Sequence, residues 1–354
     1  MQASITDLLQ GSLSLADMEV VRLVVHGDSV VDWNRTHFHS LEDVDRHLKL
    51  HLLDTKDPED WRRLQFVHGE AVNYLAEHLG IQFPSDLREP EDVRELFLLS
   101  SQTGGFRRRQ ILACVLLKLM HVINHMEAAE LRFQTSLSEA QILDLAERRI
   151  MDVATRMRAE GFPLVAFYGS RKTRNSVITK LIAKKENIAA TIFDKLRFRI
   201  VTEEPSQVLP AIAWLTQNLF PFNLIVPGQS HNNLVNLGEV LRQAEYQAIA
   251  GKLQGTSDDR DQLMNPEENP FSGSSYRMVN FIVDFPVRVD HLVDVRYGAM
   301  LGRTVKVLVE FQVLDKETAR LNDEGDNAHQ LYKERQRSIV GKRLKKGGVR
   351  KTRW

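Results

Sequence analysis

Three short stretches carry side chains whose types and spacing suit phosphate chemistry. In Ser170-Arg171-Lys172-Thr173-Arg174-Asn175-Ser176-Val177-Ile178-Thr179-Lys180, two lysines stand four residues either side of a serine. The run Val177 to Lys185 has a helical pattern, so Lys172 precedes a helix and Lys180 lies within it. Phosphate oxygens could then meet both ammonium groups and the positive end of the helix together. Further on, Ile192-Phe193-Asp194-Lys195-Leu196-Arg197-Phe198-Arg199-Ile200 sets an aspartate and two arginines on a predicted strand. Val309-Glu310-Phe311-Gln312-Val313 sets Glu310 and Gln312 on one face of another, two residues apart. Taken singly, each stretch has a plain reading: a solvated basic helix face, an edge aspartate, a chance E-x-Q.

In order, and across Phe167 to Lys333, these blocks resemble the synthetase domain of the RelA/SpoT family. The first is similar to R-x-K-x-x-x-S-x-x-x-K, with Ser170 at the leading arginine and Arg171 beside it. The second is similar to I-x-D-x-x-G-x-R-I, with Arg197 at the glycine. Ser275-Tyr276-Arg277-Met278-Val279-Asn280 resembles G-Y-R-S-L-H, keeping Tyr276 and Arg277, with Asn280 at the histidine. The last block resembles V-E-x-Q-I and is followed at the family's spacing by Glu324-Gly325, Ala328-His329 and Tyr332-Lys333-Glu334. Leu314-Asp315 stands where the family has R-T.

The resemblance implies transfer of pyrophosphate from ATP to the 3′-hydroxyl of a guanine nucleotide, which is alarmone synthesis. It implies Asp194, Glu310 and Gln312 as catalytic residues, with Asp194 and Glu310 holding Mg²⁺. It implies a nucleotide site of Arg171, Lys172, Ser176, Lys180, Arg199, Tyr276, Arg277, Asn280, His329, Tyr332 and Lys333, with Tyr276 stacking on the acceptor base. The residue chemistry is compatible. If the strands of Asp194 and Glu310 are neighbours, both carboxylates could face one Mg²⁺–triphosphate, a hard cation on oxygen ligands. Pyrophosphoryl transfer needs charge neutralisation and alignment more than covalent chemistry. Glu310 is the candidate to take the proton of the acceptor hydroxyl. Two alternatives stay open: a family toxin that modifies an adenosine nucleotide or the 3′ end of tRNA, and a catalytically silent nucleotide- or RNA-binding regulator.

The elements that must position these groups fall into two halves. Residues 1–160 read as helices: a capped start at Ser40, Glu59 to Leu79 ending at Gly80, Glu91 to Leu99, Arg108 to Leu131, and Ser138 to Glu160 stopped by Gly161 and Pro163, with an early strand at Val20 to Val25. Residues 161–335 alternate. Strands are predicted at Leu164 to Tyr168, Thr191 to Val201, Phe222 to Val226, Tyr276 to Val289 and Thr304 to Leu314, and helices at Val177 to Lys185, Ser206 to Leu219 and Lys316 to Lys333. The expected fold is α+β, a mixed β-sheet with flanking helices, preceded by an all-α N-terminal domain with an accessory or regulatory role. Residues 251–273, rich in Gly, Ser, Asp, Asn and Pro, read as a flexible insertion, and 336–354 as a basic disordered tail.

Composition narrows the classes. The chain has 354 residues and a formal net charge of zero, so it is not a general electrostatic binder of nucleic acid or membrane. Charge is uneven, however: from Lys333 to Trp354 ten Lys and Arg face one acid, Glu334, which suits RNA phosphates or a solubilising end. A lone cysteine, Cys114, excludes an intrachain disulfide and points to a reducing, cytoplasmic setting. The apolar run Ile111 to Met126 is broken by Lys118, His121, Asn124 and His125 and reads as a buried helix, with no membrane partner. No His-Asp pair occurs, so the first half lacks the ligands of the family's hydrolase domain. His121 and His125, at i, i+4 spacing, read as core histidines, and His37 and His39 as surface ones.

Overall fold

Local signals at helix ends set the first half of the chain. The computed structural model describes residues 5–10, 13–27, 33, 36–102, 107–134, 136–183, 193–253, 276–292, 301–324, 334, 337–342 and 344. Helix α1 (Ile5–Gln10) is followed by α2 (Leu15–His26), where the sequence pattern predicts a strand at Val20 to Val25. The β-branched run is overruled by its ends. Ser14 Oγ accepts from Asp17 N, and Gly27 closes the helix at φ 64 with its N–H on Leu23 and Val24 carbonyls. A capping box of Ser40 and Asp43 starts α3 (Leu41–Leu50). Asp57 caps α4 (Pro58–Leu79), which ends at Gly80 in the left-handed conformation. The short α5 (Ser85–Arg88) and α6 (Glu95–Ser100) lead to α7 (Arg107–Gln134) and to α8 (Glu139–Ala159), started by a Ser138/Gln141 capping box.

The second half builds one mixed sheet. Its strands are β1 (Leu164–Arg171), β2 (Leu196–Thr202), β3 (His231–Asn232), β4 (Val279–Arg288) and β5 (Thr304–Asp315), in the order β1-β2-β5-β4-β3. Only β2 and β5 run parallel; β1, β4 and β3 pair antiparallel with their neighbours. Helices α9 (Arg174–Ala183), α10 (Val208–Asn218), α11 (Leu237–Leu241) and α12 (Gln247–Ala250) fall in the connections, and α13 (Lys316–Asp323) follows β5, capped by Asp315. Residues 222–226 form a 3₁₀ turn and a single bridge from Ile225 to Val283 instead of a strand. The mixed sheet with flanking helices is the expected fold class.

Strand alternation divides the sheet into an apolar and a polar face. Leu196, Phe198 and Ile200 of β2, Val309, Phe311 and Val313 of β5, and Phe281, Val283 and Phe285 of β4 are buried in one core with α8, α10, α1 and α2. Rings of Phe198, Phe311 and Phe281 stack across the three strands at centroid distances of 5.8 and 5.7 Å. This ladder pins the register, because a slip of one residue would turn every aromatic onto the polar face. A second core joins α3 to α7, with Val44, Leu64, Val67, Phe97, Leu116 and Leu117 buried in it. The two cores do not divide at residue 160: α1, α2 and α8 pack with the sheet.

Among the described residues α7 alone is long and apolar enough to cross a membrane by length and composition, more apolar than the sequence reading of Ile111 to Met126 allows. In this fold its Ala113, Leu116, Leu117 and Met120 lie in the helical core and Leu131 in the sheet core. Within the basic tail, for which composition predicts no structure, residues 337–342 are helical. Nearly all of the 251–273 insertion lies outside the described residues.

Candidate functional site

The polar face of the sheet, at the β2/β5 pair, gathers the acids and bases of three separate blocks. Pairing of β2 with β5 sets Arg197 beside Glu310 and Arg199 beside Gln312. Asp194 sits one turn earlier, in the 3₁₀ turn Phe193–Lys195 that delivers the chain into β2, and not on the strand that the sequence pattern predicts. The turn brings its carboxylate back over the strand, towards the side chains that follow it. Lys172 lies at the end of β1, its backbone N–H bonded to the Lys195 carbonyl at 3.0 Å. Lys180 arrives from the last turn of α9, whose start is capped by Thr173 Oγ1 accepting from Ser176 N at 3.3 Å.

These side chains converge. Asp194 Oδ1 accepts from Lys180 Nζ at 2.7 Å, and Oδ2 accepts from Lys172 Nζ and from an Arg197 terminal nitrogen at 3.2 Å. Glu310 Oε2 accepts from Arg197 Nε at 2.7 Å, while Oε1 accepts from Gln312 Nε2 at 2.9 Å. One guanidinium therefore joins the two carboxylates. Arg199 donates to Tyr276 Oη at 2.9 Å and reaches Gln312 Oε1 at 3.5 Å, which ties the aromatic block to the same cluster.

Charges set the protonation states. Burial works against an ionised Asp194, but Lys180 and Lys172 outweigh it and hold its carboxyl well below the usual range. Burial likewise disfavours charge on Arg197, yet Glu310 and Asp194 raise its pKa above the ordinary value. Lys172 shows the opposite balance: burial lowers its pKa despite its contact with Asp194. Three cationic groups, Lys172, Lys180 and Arg197, thus surround two carboxylates, with Arg199 alongside and paired to Asp323, which suits the site to a polyanion.

Other predicted residues fall elsewhere. Arg171 is not part of the cluster. Strand alternation turns it to the opposite face of β1, where it pairs with Asp144 and Glu147 of α8 at 2.5 Å each, and Ser170 takes the site-facing position opposite Arg197. Ser176 bonds Thr173 at the helix start and makes no contact with the acids. Arg277 anchors its strand entry, its N–H on Asn322 Oδ1 at 3.0 Å and its guanidinium on the Tyr276 carbonyl at 3.2 Å. Asn280 lies beside Gln312 in the β4/β5 register, and its Oδ1 is buried without a hydrogen-bond partner. His329, Tyr332 and Lys333 lie outside the described residues.

Sequence reasoning treats Arg197 only as a departure at a glycine position. Alternation alone puts Arg197 and Arg199 on one face; that this face also holds Glu310 follows from the β2/β5 register.

The expected magnesium ion does not fit the arrangement as it stands. All four oxygens of Asp194 and Glu310 accept hydrogen bonds from nitrogen, and the place between the two carboxylates is taken by Arg197. No group of three or more His, Cys, Asp or Glu side chains positioned to hold a metal occurs among the described residues.

No family model matches the chain, and no curated protein matches it. Among solved structures it is similar to small alarmone synthetase 1 from Bacillus subtilis bound to its product pppGpp, at 13% identity and a TM-score of 0.34, over 58% of this chain and 87% of that one. It is also similar to a GTP pyrophosphokinase family protein from Streptococcus pneumoniae, at 12% identity and a TM-score of 0.31, over 58% and 84%. Small alarmone synthetase 2 from Bacillus subtilis matches at 14% identity and a TM-score of 0.29, over 59% and 92%. Likeness at this level carries no functional argument, which has to come from the side chains.

Proposed function

We propose that the chain is a nucleotide pyrophosphokinase that moves the β,γ-pyrophosphoryl group of ATP to the 3′-hydroxyl of an acceptor nucleotide, with a guanine nucleotide as the first acceptor to test. The observation that carries this reading is the convergence of Lys172, Lys180, Asp194, Arg197 and Glu310 from three blocks of sequence onto one patch of the sheet. Lys172, Lys180 and Arg197 neutralise the triphosphate and hold it along the start of β2, so that the reacting phosphorus is aligned before transfer. The acceptor oxygen bonds to the β-phosphorus, the bond from that phosphorus to the α,β-bridging oxygen breaks, and AMP leaves with that oxygen. Glu310 accepts the proton of the attacking hydroxyl; Gln312, on its Oε1, fixes its orientation. Tyr276, held through Arg199, is the surface against which the acceptor base stacks.

The test is a chromatographic assay with labelled ATP and GDP, GTP, ATP or tRNA as acceptor. Wild type transferring no more label than Glu310→Gln with every acceptor would sink the reading. Inclusion of tRNA distinguishes a nucleotide acceptor from an RNA 3′ end, for which the basic tail would supply phosphate contacts. A second reading, a silent nucleotide-binding module, is favoured by the full occupation of both carboxylates. It predicts calorimetric ATP binding with no transfer.

A further inference from the structure

We propose that Arg197 is the resident cation of this site: its guanidinium holds the place between Asp194 and Glu310, and a polyphosphate binds there without a divalent ion held by those carboxylates. The inference rests on reading the cluster as a polyphosphate site, and concerns what that site requires of ions.

Geometry makes the position of Arg197 hard to vacate. Arg197 stands beside Glu310 in the parallel ladder, and its strand neighbours Leu196 and Phe198 are fully buried on the other face, so the backbone cannot withdraw. Its bonds of 2.7 Å to Glu310 and 3.2 Å to Asp194 are charge-assisted. A divalent ion would have to break both contacts and shed water as well, and Mg²⁺ dehydrates reluctantly.

Charge favours the same conclusion. Lys172, Lys180 and Arg197 against Asp194 and Glu310 already leave an excess of one positive charge, with Arg199 beside them paired to Asp323, before any metal is added. A further dication would face Lys172, Lys180 and Arg197 at contact range, whereas a triphosphate would relieve their mutual repulsion. Guanidinium has five N–H donors, and the two described bonds leave others, on a side chain that is a third exposed, for phosphate oxygens.

Two measurements on the full chain test this. Manganese titration followed by electron paramagnetic resonance should find no bound Mn²⁺ that depends on Glu310 in wild type. Arg197→Ala should gain one such site and lose it again in Arg197→Ala/Glu310→Gln, while Arg197→Lys keeps the cation and excludes the metal. Calorimetry should give ATP affinities for wild type that agree within about twofold with Mg²⁺ and with EDTA, and Arg197→Ala should weaken binding in EDTA by about 10–100-fold. Wild type binding Mn²⁺ that Glu310→Gln removes, or losing ATP in EDTA, would overturn the proposal. Absence of ATP binding under both conditions would instead overturn the polyphosphate reading beneath it. The wild-type measurements decide by themselves, so an unfolded Arg197→Ala protein does not remove the test.

Discussion

Two acid–base clusters share the polar face of the sheet, and they differ in what lies over them. At the β2/β5 end, Asp194 and Glu310 meet Lys172, Lys180 and Arg197, and the arginine side chain is a third exposed. Further along β4 and β5, Asp284 meets His125 at 2.7 Å and the buried Lys306 at 3.4 Å, with α7 packed above. From there the polar contacts continue inward: His121 Nδ1 to Asn223 at 3.2 Å, and Asn223 Oδ1 to His51 Nε2 at 3.0 Å. His51, His121 and Asn223 line a cavity of about 60 Å³ together with Trp33 and His47. The first cluster has surplus positive charge and access to solvent. In the second, burial strips charge from His47, His51 and His121. An excess of cations at an accessible end of the central strands marks a place to bind an anion, whereas matched and neutralised groups under a helix mark a joint between layers.

The largest expected effect breaks the first cluster without touching the second. Glu310→Gln keeps size and shape but cannot take a proton, and transfer should fall by about 10²–10⁴-fold in the label assay. Thermal stability should change little, because Arg197 retains Asp194. A mutant that transfers normally would move the chemistry away from Glu310.

The converse substitution is Asp284→Ala. It leaves Lys306 buried without its counter-charge and should cost about 3–5 kcal/mol in urea unfolding. ATP affinity of the folded protein should stay within about twofold, since the substituted group contacts none of the site residues. Equal losses in both measurements would mean the two clusters are one.

Acid separates the clusters next. Burial pushes the His47 imidazole down to about 3, and His121, also buried and close to Lys306, down to about 3. Their unfolded value is near 6.5, so below that pH the unfolded chain binds protons that the native chain refuses. Stability is full above pH 6.5 and should fall by about 1.4 kcal/mol per pH unit for His47 as pH drops towards 5. Asp194 has its pKa depressed, so its contribution is kept throughout that window and is lost only in stronger acid. His47→Leu should flatten the slope in urea titrations, and Asp194→Asn should leave it unchanged. The opposite pattern would assign the acid sensitivity to the wrong end of the sheet.

The difference between the clusters also explains what the sequence discloses. Lys172, Lys180, Asp194, Arg199, Glu310 and Gln312 are legible as blocks because chemistry fixes their types and short-range spacing, and the fold brings them together. Asp284 and Lys306 offer only a charged residue inside an apolar strand; their pairing depends on the β4/β5 register, which no local pattern gives. Helix ends were readable at Ser40, Gly80 and Ser138, where cap residues agree with periodicity. They are masked at α2, where Val20, Val21, Val24 and Val25 suggest a strand but Ser14 and Gly27 stand at helix-length separation. The grouping of α1, α2 and α8 with the sheet depends on tertiary packing and has no signal in chain order.

The smallest predicted effect concerns the arginine that sequence places in the wrong company. Arg171 is adjacent to Lys172, and proximity in the chain suggests one cationic clamp. A strand reverses that inference, because consecutive side chains leave on opposite faces; Arg171 goes to α8 with Asp144 and Glu147, Lys172 to Asp194. Arg171→Ala should therefore lower stability by about 0.2–1 kcal/mol, as for a partly exposed ion pair, and leave ATP affinity within about twofold. Lys172→Ala, one residue on, removes a charged contact to the site and should weaken ATP binding by about 10-fold or more. Similar losses of affinity at both positions would show that β1 does not present alternate residues to the two faces as described, and the separation between the open cluster and the buried layer behind it would fail with it.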